Sequence, residues 1–520
     1  MLQELRGQGV ELWAEGGSLR YRGPRDAIAP ALEDLKAHKP DILRLLTQLV
    51  DTPETVELCL AWFESVPRVA LDIETYSDPP GFAAHYTLGK VRLITFAHAG
   101  VVRSVDAEAV GTEAVRLMLE TIASKPVYLH NAIFDLPRLY KLTGVLLSEN
   151  VRDTLIASRV ARAGEWEKKN GKIRKKSHGL EDVLVRELGT TILKDKRLKW
   201  SGEITETHLE YAADDVVHLE ELHKALTKVL AKNSVLDRYE AIRATLPMFV
   251  EATAKGVPIN QQRLEELIRD SEEEERLLKE VERLAPEHPD GDFWRWRNKN
   301  KPDTLDGYGN RIGRNGALRA LSLLGVDLPN LETDGSLVQH RDDHEIVPVL
   351  RAYYKAAQEH SHYRKWPAEF VEGGRIFPQP KVAGAVTGRV LYADPNVQGV
   401  NKRSPDKEDA SEYRKVMVAP PGWSIVAGDF AQQELRIAAY FSQDQAMLNA
   451  FEGDFYTRTA EKMTGRTITD KKDPARAAAK RATLGFLYGL GIPKYLDKLF
   501  KDTGIRLSED EGERDREAFR

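Results

Sequence analysis

The stretch from Gly422 to Asp444, GWSIVAGDFAQQELRIAAYFSQD, constrains the fold of this chain more than any other. An apolar run empties into one aspartate and then into residues at helical spacing. By length and β-branched content, residues 424–427 predict a short buried strand, while Leu435, Ala438 and Ala439 recur with the period of a helix. Asp429 then falls at the carboxyl end of a strand, where open α/β sheets place ligands, and a carboxylate there needs a partner such as a metal ion. The same residue is equally suited to cap the following helix. The stretch alone leaves both roles open.

A chain of 520 residues exceeds what one hydrophobic core supports and points to about three or four domains. With 42% hydrophobic and 30% charged residues, the composition is that of an ordinary globular protein. The formal charge of -5 gives no general attraction for nucleic acid, so any such contact must use local patches of Lys and Arg. Cys59 is the single cysteine, inside the helix-like run VELCLAWF, which excludes a disulfide framework and a Cys-based zinc site and fits a cytoplasmic compartment. No charged leader precedes an apolar core and no run approaches ~18 apolar residues, so neither export nor a membrane partner is expected.

Residues 1–50 read as a separate module. VELWAE, then Gly16-Gly17, then SLRYRG is a hairpin signal, followed by amphipathic segments around Leu32/Leu35 and Ile42/Leu45/Leu46. From 55 to 230, short β-rich runs (RVALDIE, VRLITFAH, KPVYLH) alternate with helix-like segments, the pattern of a mixed α/β domain. The basic stretches EKKNGKIRKK and KDKRLKW read there as solvated loops or as phosphate contacts. Beyond residue 240 the chain turns helical and charged. NQQRLEELIRDSEEEERLLKEVERL opens with Asn260 as an N-cap and carries Leu264, Leu267, Leu277, Val281 and Leu284 on one face. Pro286 to Gly316 predicts a loop whose Phe293, Trp294 and Trp296 serve either base stacking or a small local core.

Two constellations carry chemistry. In VALDIET the strand period places Asp72 and Glu74 on one face, and two adjacent carboxylates repel unless cations hold them. Asp135 in YLHNAIFDLPRL falls on an early helix turn after a buried strand, and Tyr211 and Asp215 in YAADDVVHLEEL lie four apart on one helix face. In this order the fragments, with DTLIASRV from Asp153, resemble the proofreading 3′-to-5′ exonuclease family with four acidic residues and a tyrosine. The resemblance implies a ribonuclease H-like fold and two Mg²⁺ per site, or Mn²⁺ in their place. Asp72, Glu74, Asp135 and Asp215 would hold or orient the metals, and Tyr211 the attacking water.

In the second, DPARAAAKRATLGFLYGLG predicts a helix with Asp473 as N-cap and Pro474 at its first position. Arg476, Lys480, Leu484 and Tyr488 recur every four residues and share one broad stripe, suited to a triphosphate and base or to an ordinary exposed amphipathic helix. Together with GDFAQQELR and VTGRVLYADPNVQGVNK, the helix resembles the nucleotide-binding helix of family A DNA polymerases. The resemblance makes Asp429 a metal-holding palm carboxylate and assigns Gln432, Glu434, Arg476, Lys480, Leu484 and Tyr488 to the nucleotide. Glu434 would crowd the sugar 2′ position. Thr387, Gly388, Arg389, Asn396 and Gln398 would line a DNA primer-template. KGVPINQQRLEEL resembles the start of the thumb, and the first module is similar to docking domains of peptide synthetase assembly lines.

The implied organisation is a multidomain α/β and α protein: a docking-like module (1–50), an exonuclease (55–230), a helical thumb (240–372), a partial palm (373–445) and partial fingers (446–520). Its substrates would be DNA and dNTPs, with a docking partner for the first module. The family pattern is broken at Phe430 and Ala431, where it has tyrosine and serine, at Tyr456, where it has histidine, and at Leu484, where it has an aromatic. No His-Asp pair follows the nucleotide helix, SEDEGERDRE offers no strand for one, and no 5′-nuclease segment fits the first 50 residues. The expectation is therefore a fragment or one part of a split enzyme, completed by a C-terminal polymerase piece and of phage type. Two rivals remain: a stand-alone 3′-5′ exonuclease that holds DNA with a polymerase-like half, and a non-catalytic DNA-binding or docking subunit.

Overall fold

The computed structural model describes the chain except for residues 1–4, 6–7, 16–17, 40–41, 43–47, 148, 170–171, 193–197, 270–271, 288–313, 334, 365, 401–411, 471–472, 504–505 and 520. The described residues form two units, one of Met1–Leu267 and Lys365–Gly422, the other of Ile268–Arg364 and Trp423–Arg520.

The first unit begins with β1 (Glu11–Glu15) and β2 (Ser18–Arg22), paired antiparallel with Glu15 opposite Ser18, and a helix Arg25–Ala37. Val10, Leu12, Ile28, Leu35 and Ile42 close a small core of their own. Gly16, Gly17, Leu45 and Leu46 lie outside the described residues.

Six strands follow: β3 (Leu49–Val50), β4 (Val69–Tyr76), β5 (Lys90–His98), β6 (Val101–Asp106), β7 (Val127–Leu129) and β8 (Val151–Asp153). They form one sheet in the order β3-β6-β5-β4-β7-β8. β4, β5 and β6 run antiparallel, while β7 and β8 continue parallel from β4. Parallel neighbours require crossovers, and the helices Ala107–Ile122 and Ala132–Thr143 lie between β6 and β7 and between β7 and β8 in the chain. β5 is buried along nearly its whole length, as an apolar central strand must be. On β4, Leu71 and Ile73 enter the core while Asp72 and Glu74 alternate to the opposite face. The helix Pro53–Ser65, opened by a capping box at Thr52, sets Phe63 edge-on against Phe96 of β5, ring centroids 4.8 Å apart. Cys59 is buried on the same helix, and desolvation pushes its thiol up to about 12, so it packs rather than reacts.

The basic stretch EKKNGKIRKK is not a loop. It forms a hairpin of β9 (Trp166–Lys169) and β10 (Lys172–Lys175). The reading from charge missed the Asn-Gly pair at 170–171, which favours a two-residue hairpin turn. Much of KDKRLKW lies outside the described residues.

The run from Asn260 makes two helices, Gln261–Arg269 and Glu272–Leu284, and Asn260 Oδ1 caps the first by accepting from the Arg263 N–H at 2.9 Å. In the second unit, Leu277, Val281 and Leu284 join Leu350 and Tyr353 of the helix Ile346–Arg364 in one core. Phe293, Trp294 and Trp296 lie outside the described residues.

The predicted strand at 424–427 is absent. Residues 423–430 are irregular and exposed, Trp423 at 76% and Val426 at 91%. A strand needs neighbours to take its backbone hydrogen bonds and cover its apolar side chains, and none pairs with this segment among the described residues. Asp429 is thus neither at a strand end nor the helix cap. The helix Gln433–Ser442 is preceded by Gln432, which occupies the N-cap position with φ 54°. Among the described residues no helix is long and apolar enough to cross a membrane.

Replacing Phe63 by Ala opens a cavity between helix and sheet and should lower the stability of the first unit by about 3–5 kcal/mol, read as a lower urea midpoint.

Candidate functional site

The site grows from the middle of the six-stranded sheet. β4 holds Asp72 and Glu74 two residues apart, and the helix Glu206–Val216 sets Asp215 opposite them. One carboxylate oxygen from each of the three lies within 4.8 Å of the others. At 4.8 Å each ionised pair repels by about 3–4 kcal/mol at an effective dielectric near 20. Three such pairs rival the whole stability of a domain, so an all-ionised cluster calls for cations. A hard-oxygen donor set of this kind suits Mg²⁺ or Mn²⁺. Among the described residues it is the one group of three or more metal-ligating side chains.

Asp135 is not in that cluster. It sits in the first turn of the helix Ala132–Thr143, fully buried, and Oδ1 accepts from the N–H of Ile73 at 3.2 Å. It braces the strand between the two β4 carboxylates. Burial pushes its carboxyl well above the usual range, opposed by the Arg138 guanidinium. Tyr211 is half-buried one helical turn before Asp215. Burial, then the charges of Asp215, Glu74 and Asp72, push its phenol above its ordinary value, so it stays a hydroxyl donor. The Trp200 ring lies 6.0 Å from that of Tyr211.

Asp72 and Asp215 open onto a cleft of about 500 Å³, also lined by His130, Asn131, Arg159, His178 and Gly384. Asp153 ties its floor together, accepting from the N–H groups of Ala132 at 2.8 Å and Ile156 at 2.9 Å. Ser158 Oγ lies 2.8 Å from His178 Nδ1 and accepts from Arg186 at 3.0 Å. Burial, with Arg186 and Arg159 beside it, holds the His178 imidazole down to about 4, so it is neutral at physiological pH. Sequence reasoning missed Arg159 and His178 as lining residues. Arg159 lies within DTLIASRV, six residues after Asp153, and that spacing was the available signal.

The stretch expected to meet DNA lies in the first unit. β-Ladder residues Gln379–Lys381 and Leu391–Ala393 flank it. Thr387 and Arg389 are exposed, and the Thr387 carbonyl accepts from Arg238 at 3.0 Å. Gly388 has φ +81°, a left-handed backbone conformation that a residue with a Cβ adopts only under strain. Asn396 caps a short 3₁₀ turn with its side chain, and Gln398 bonds the backbone of Tyr392 and Val390, so both hold the local loop.

In the second unit, the helix Pro474–Leu487 starts as the sequence predicts, with Asp473 accepting from the Ala475 N–H at 2.8 Å. Arg476 is engaged in a two-pronged pair with Asp454, at 2.7 and 3.1 Å, and Gln432 reaches the same carboxylate at 3.4 Å. Arg476 holds the Asp454 carboxyl down to about 2. The guanidinium of Arg476 and the ammonium of Lys480 stand 5.7 and 5.6 Å from the Tyr456 ring centre. Leu484 packs with Leu435, Phe455 and Tyr456, whereas Tyr488 is 70% exposed. Glu434 occupies the first turn of Gln433–Ser442, and Asp429 is exposed.

Three family models match the chain. One described as 3'-5' exonuclease matches residues 47–231, one for DNA polymerase family A matches 329–512, and one for a TubC N-terminal docking domain matches 1–48. The chain is 24% identical over 498 residues to DNA polymerase I of Aquifex aeolicus, covering 91% of this chain and 77% of that protein. It is 27% identical to DNA polymerase I of Chloroflexus aurantiacus and 30% identical to the thermostable DNA polymerase I of Thermus filiformis, over 70% and 60% of this chain but only 38% and 36% of theirs. The solved POL domain of Pol1 from M. smegmatis, in complex with DNA primer-template and dNTP, shares the fold with a TM-score of 0.64 at 18% identity, covering 91% of this chain and 75% of its own. Residues 329–512 thus match DNA polymerase family A, and a 3′-5′ exonuclease match at residues 47–231 precedes them in the chain.

Proposed function

We propose that the first unit removes nucleotides from the 3′ end of a DNA strand by hydrolysis. The observation that carries this reading is the convergence of Asp72, Glu74 and Asp215 within 4.8 Å on one face of the central strand. These three would hold two Mg²⁺, or Mn²⁺ in their place, which when bound supply Lewis-acid stabilisation of the attacking and leaving oxygens of a phosphodiester. Tyr211, kept protonated, offers its hydroxyl to position the water. Asp135 fixes the Ile73 backbone and with it the spacing of Asp72 and Glu74. Water attacks the terminal phosphorus, the 3′-oxygen of the preceding nucleotide leaves and takes a proton, and a nucleoside 5′-monophosphate is released.

The second unit, on this proposal, binds dNTPs in the manner of family A polymerases. Arg476 and Lys480 meet the triphosphate, Gln432, Glu434, Leu484 and Tyr488 the sugar and base, and Asp429 one metal. Thr387, Arg389, Asn396 and Gln398 border the primer-template. Attack of a primer 3′-OH on the α-phosphate, with pyrophosphate leaving, requires a further carboxylate beside Asp429. Residues 1–48 would dock a protein partner.

Substitution of Asp72, Glu74 or Asp215 by the corresponding amide should cut Mg²⁺-dependent shortening of a 5′-labelled single strand by about 10³-fold or more, several kcal/mol of charge stabilisation. Wild-type chain that leaves the 3′ end intact refutes the exonuclease reading. Tyr211→Phe should lose about 10-fold to 10²-fold in kcat with KM little changed, a split visible in initial rates.

The Asp454–Arg476 pair has a pH signature. A carboxyl depressed to about 2 stabilises the fold above its unfolded value near 4, and that contribution disappears as pH falls from 4 toward 2. Acid unfolding of the second unit should therefore be shallower in Asp454→Asn than in wild type over that window, followed by circular dichroism.

A further inference from the structure

Arg159 lines the same cleft as Asp72 and Asp215, half-buried, on the helix Thr154–Ala161. Its Nη1 donates to the Val382 carbonyl at 2.8 Å, which brings a distant segment, Val382 to Gly384, to the wall of the cleft. No carboxylate lies within ion-pair distance of it among the described residues. The charge it feels most is Asp153. That carboxylate is already occupied by the N–H groups of Ala132, Ile156 and Asn131. Most of the five N–H donors of a guanidinium thus remain for something else, and desolvating them without a partner is costly.

A nucleic-acid strand entering this cleft brings phosphates toward three clustered carboxylates. A cation lining the same cleft offsets that repulsion, and the planar fork of arginine matches two phosphate oxygens at once. Resting on the exonuclease reading, we infer that Arg159 binds a non-bridging phosphate oxygen of the strand whose 3′ end is being hydrolysed. It acts on substrate binding, and the acids and Tyr211 on the chemical step.

The test pairs kinetics with salt dependence. Wild type, Arg159→Gln and Arg159→Lys are compared on a 5′-labelled dodecathymidylate with Mg²⁺, and binding of the same oligonucleotide is measured by anisotropy in EDTA across a salt series. Arg159→Gln should raise KM about tenfold or more with a small change in kcat. Its plot of log affinity against log salt should flatten by about 0.7, the loss of one phosphate contact. Arg159→Lys should keep the wild-type slope while raising KM a few-fold. Wild-type KM and slope in Arg159→Gln would overturn the assignment. So would an Arg159→Lys slope as flat as that of the glutamine variant, since lost packing against Val382 would then explain both. If Arg159→Gln does not fold, the slope of Arg159→Lys decides alone. A wild-type chain that binds the strand but never shortens it refutes the exonuclease reading instead.

Discussion

Mutual repulsion of Asp72, Glu74 and Asp215 is the constraint around which the first unit is arranged. Carboxylates within 4.8 Å drift apart on a mobile scaffold, so they are mounted on an interior strand of the sheet and on a helix packed against it. β4 is hydrogen-bonded on both edges, to β5 and β7, and its alternate side chains Leu71 and Ile73 are locked in the core. Asp135 adds a side-chain brace to the one backbone N–H between the two acids. The register shift between Glu74 and Thr75 lies directly beside the cluster, as bulges often do where a sheet must re-aim side chains. With all three groups ionised, the arrangement carries a repulsion that divalent cations would relieve.

Burial and neighbouring charge set the character of its surroundings. Tyr211 remains a phenol because burial, and then the charges of Asp215, Glu74 and Asp72, disfavour its anion, and His178 remains neutral because burial and two guanidiniums disfavour its cation. The cleft thus carries both signs of charge, the carboxylates of Asp72 and Asp215 together with the Arg159 guanidinium and a neutral His178 imidazole. On the proposed exonuclease role, that mixture suits a phosphate that must be both bound and hydrolysed.

How much of this was legible in the sequence follows from how local each feature is. Asp72 and Glu74 share a strand and Tyr211 and Asp215 a helix turn, so period 2 and period 3.6 suffice to pair them. Bringing the pairs together takes the sheet order, which only the family resemblance could suggest. Asp135 was legible as a member and not in its role, because a bond to the Ile73 N–H depends on register. The Arg159 contact to Val382 spans 223 residues and leaves no pattern in either segment. The hairpin at 166–175 and the missing strand at 424–427 fail in opposite ways: the first had its turn signal outweighed by charge, and the second had strand composition without a partner.

That second failure separates the two units. In the first, the His130, Arg159 and His178 side chains of the cleft are each held by a backbone or side-chain hydrogen bond. In the second, support is concentrated on the cations: Arg476 is already fixed by Asp454, with Gln432 at the same carboxylate and Tyr456 beneath. A carboxylate holding a guanidinium by both prongs occupies the geometry a phosphate would take, so on the proposed role of Arg476 a nucleotide would exchange one anion for another at an oriented fork. Asp429 has no comparable support. It stands exposed in an irregular segment whose apolar neighbours Trp423, Ile425, Val426 and Phe430 are also uncovered. A carboxylate is useful to a metal only when its backbone is fixed, and a backbone of strand composition is fixed by strands beside it. The cations proposed to meet the nucleotide are therefore held by neighbours while Asp429 is not, and a paired strand over residues 423–430 is what would give Asp429 the same support.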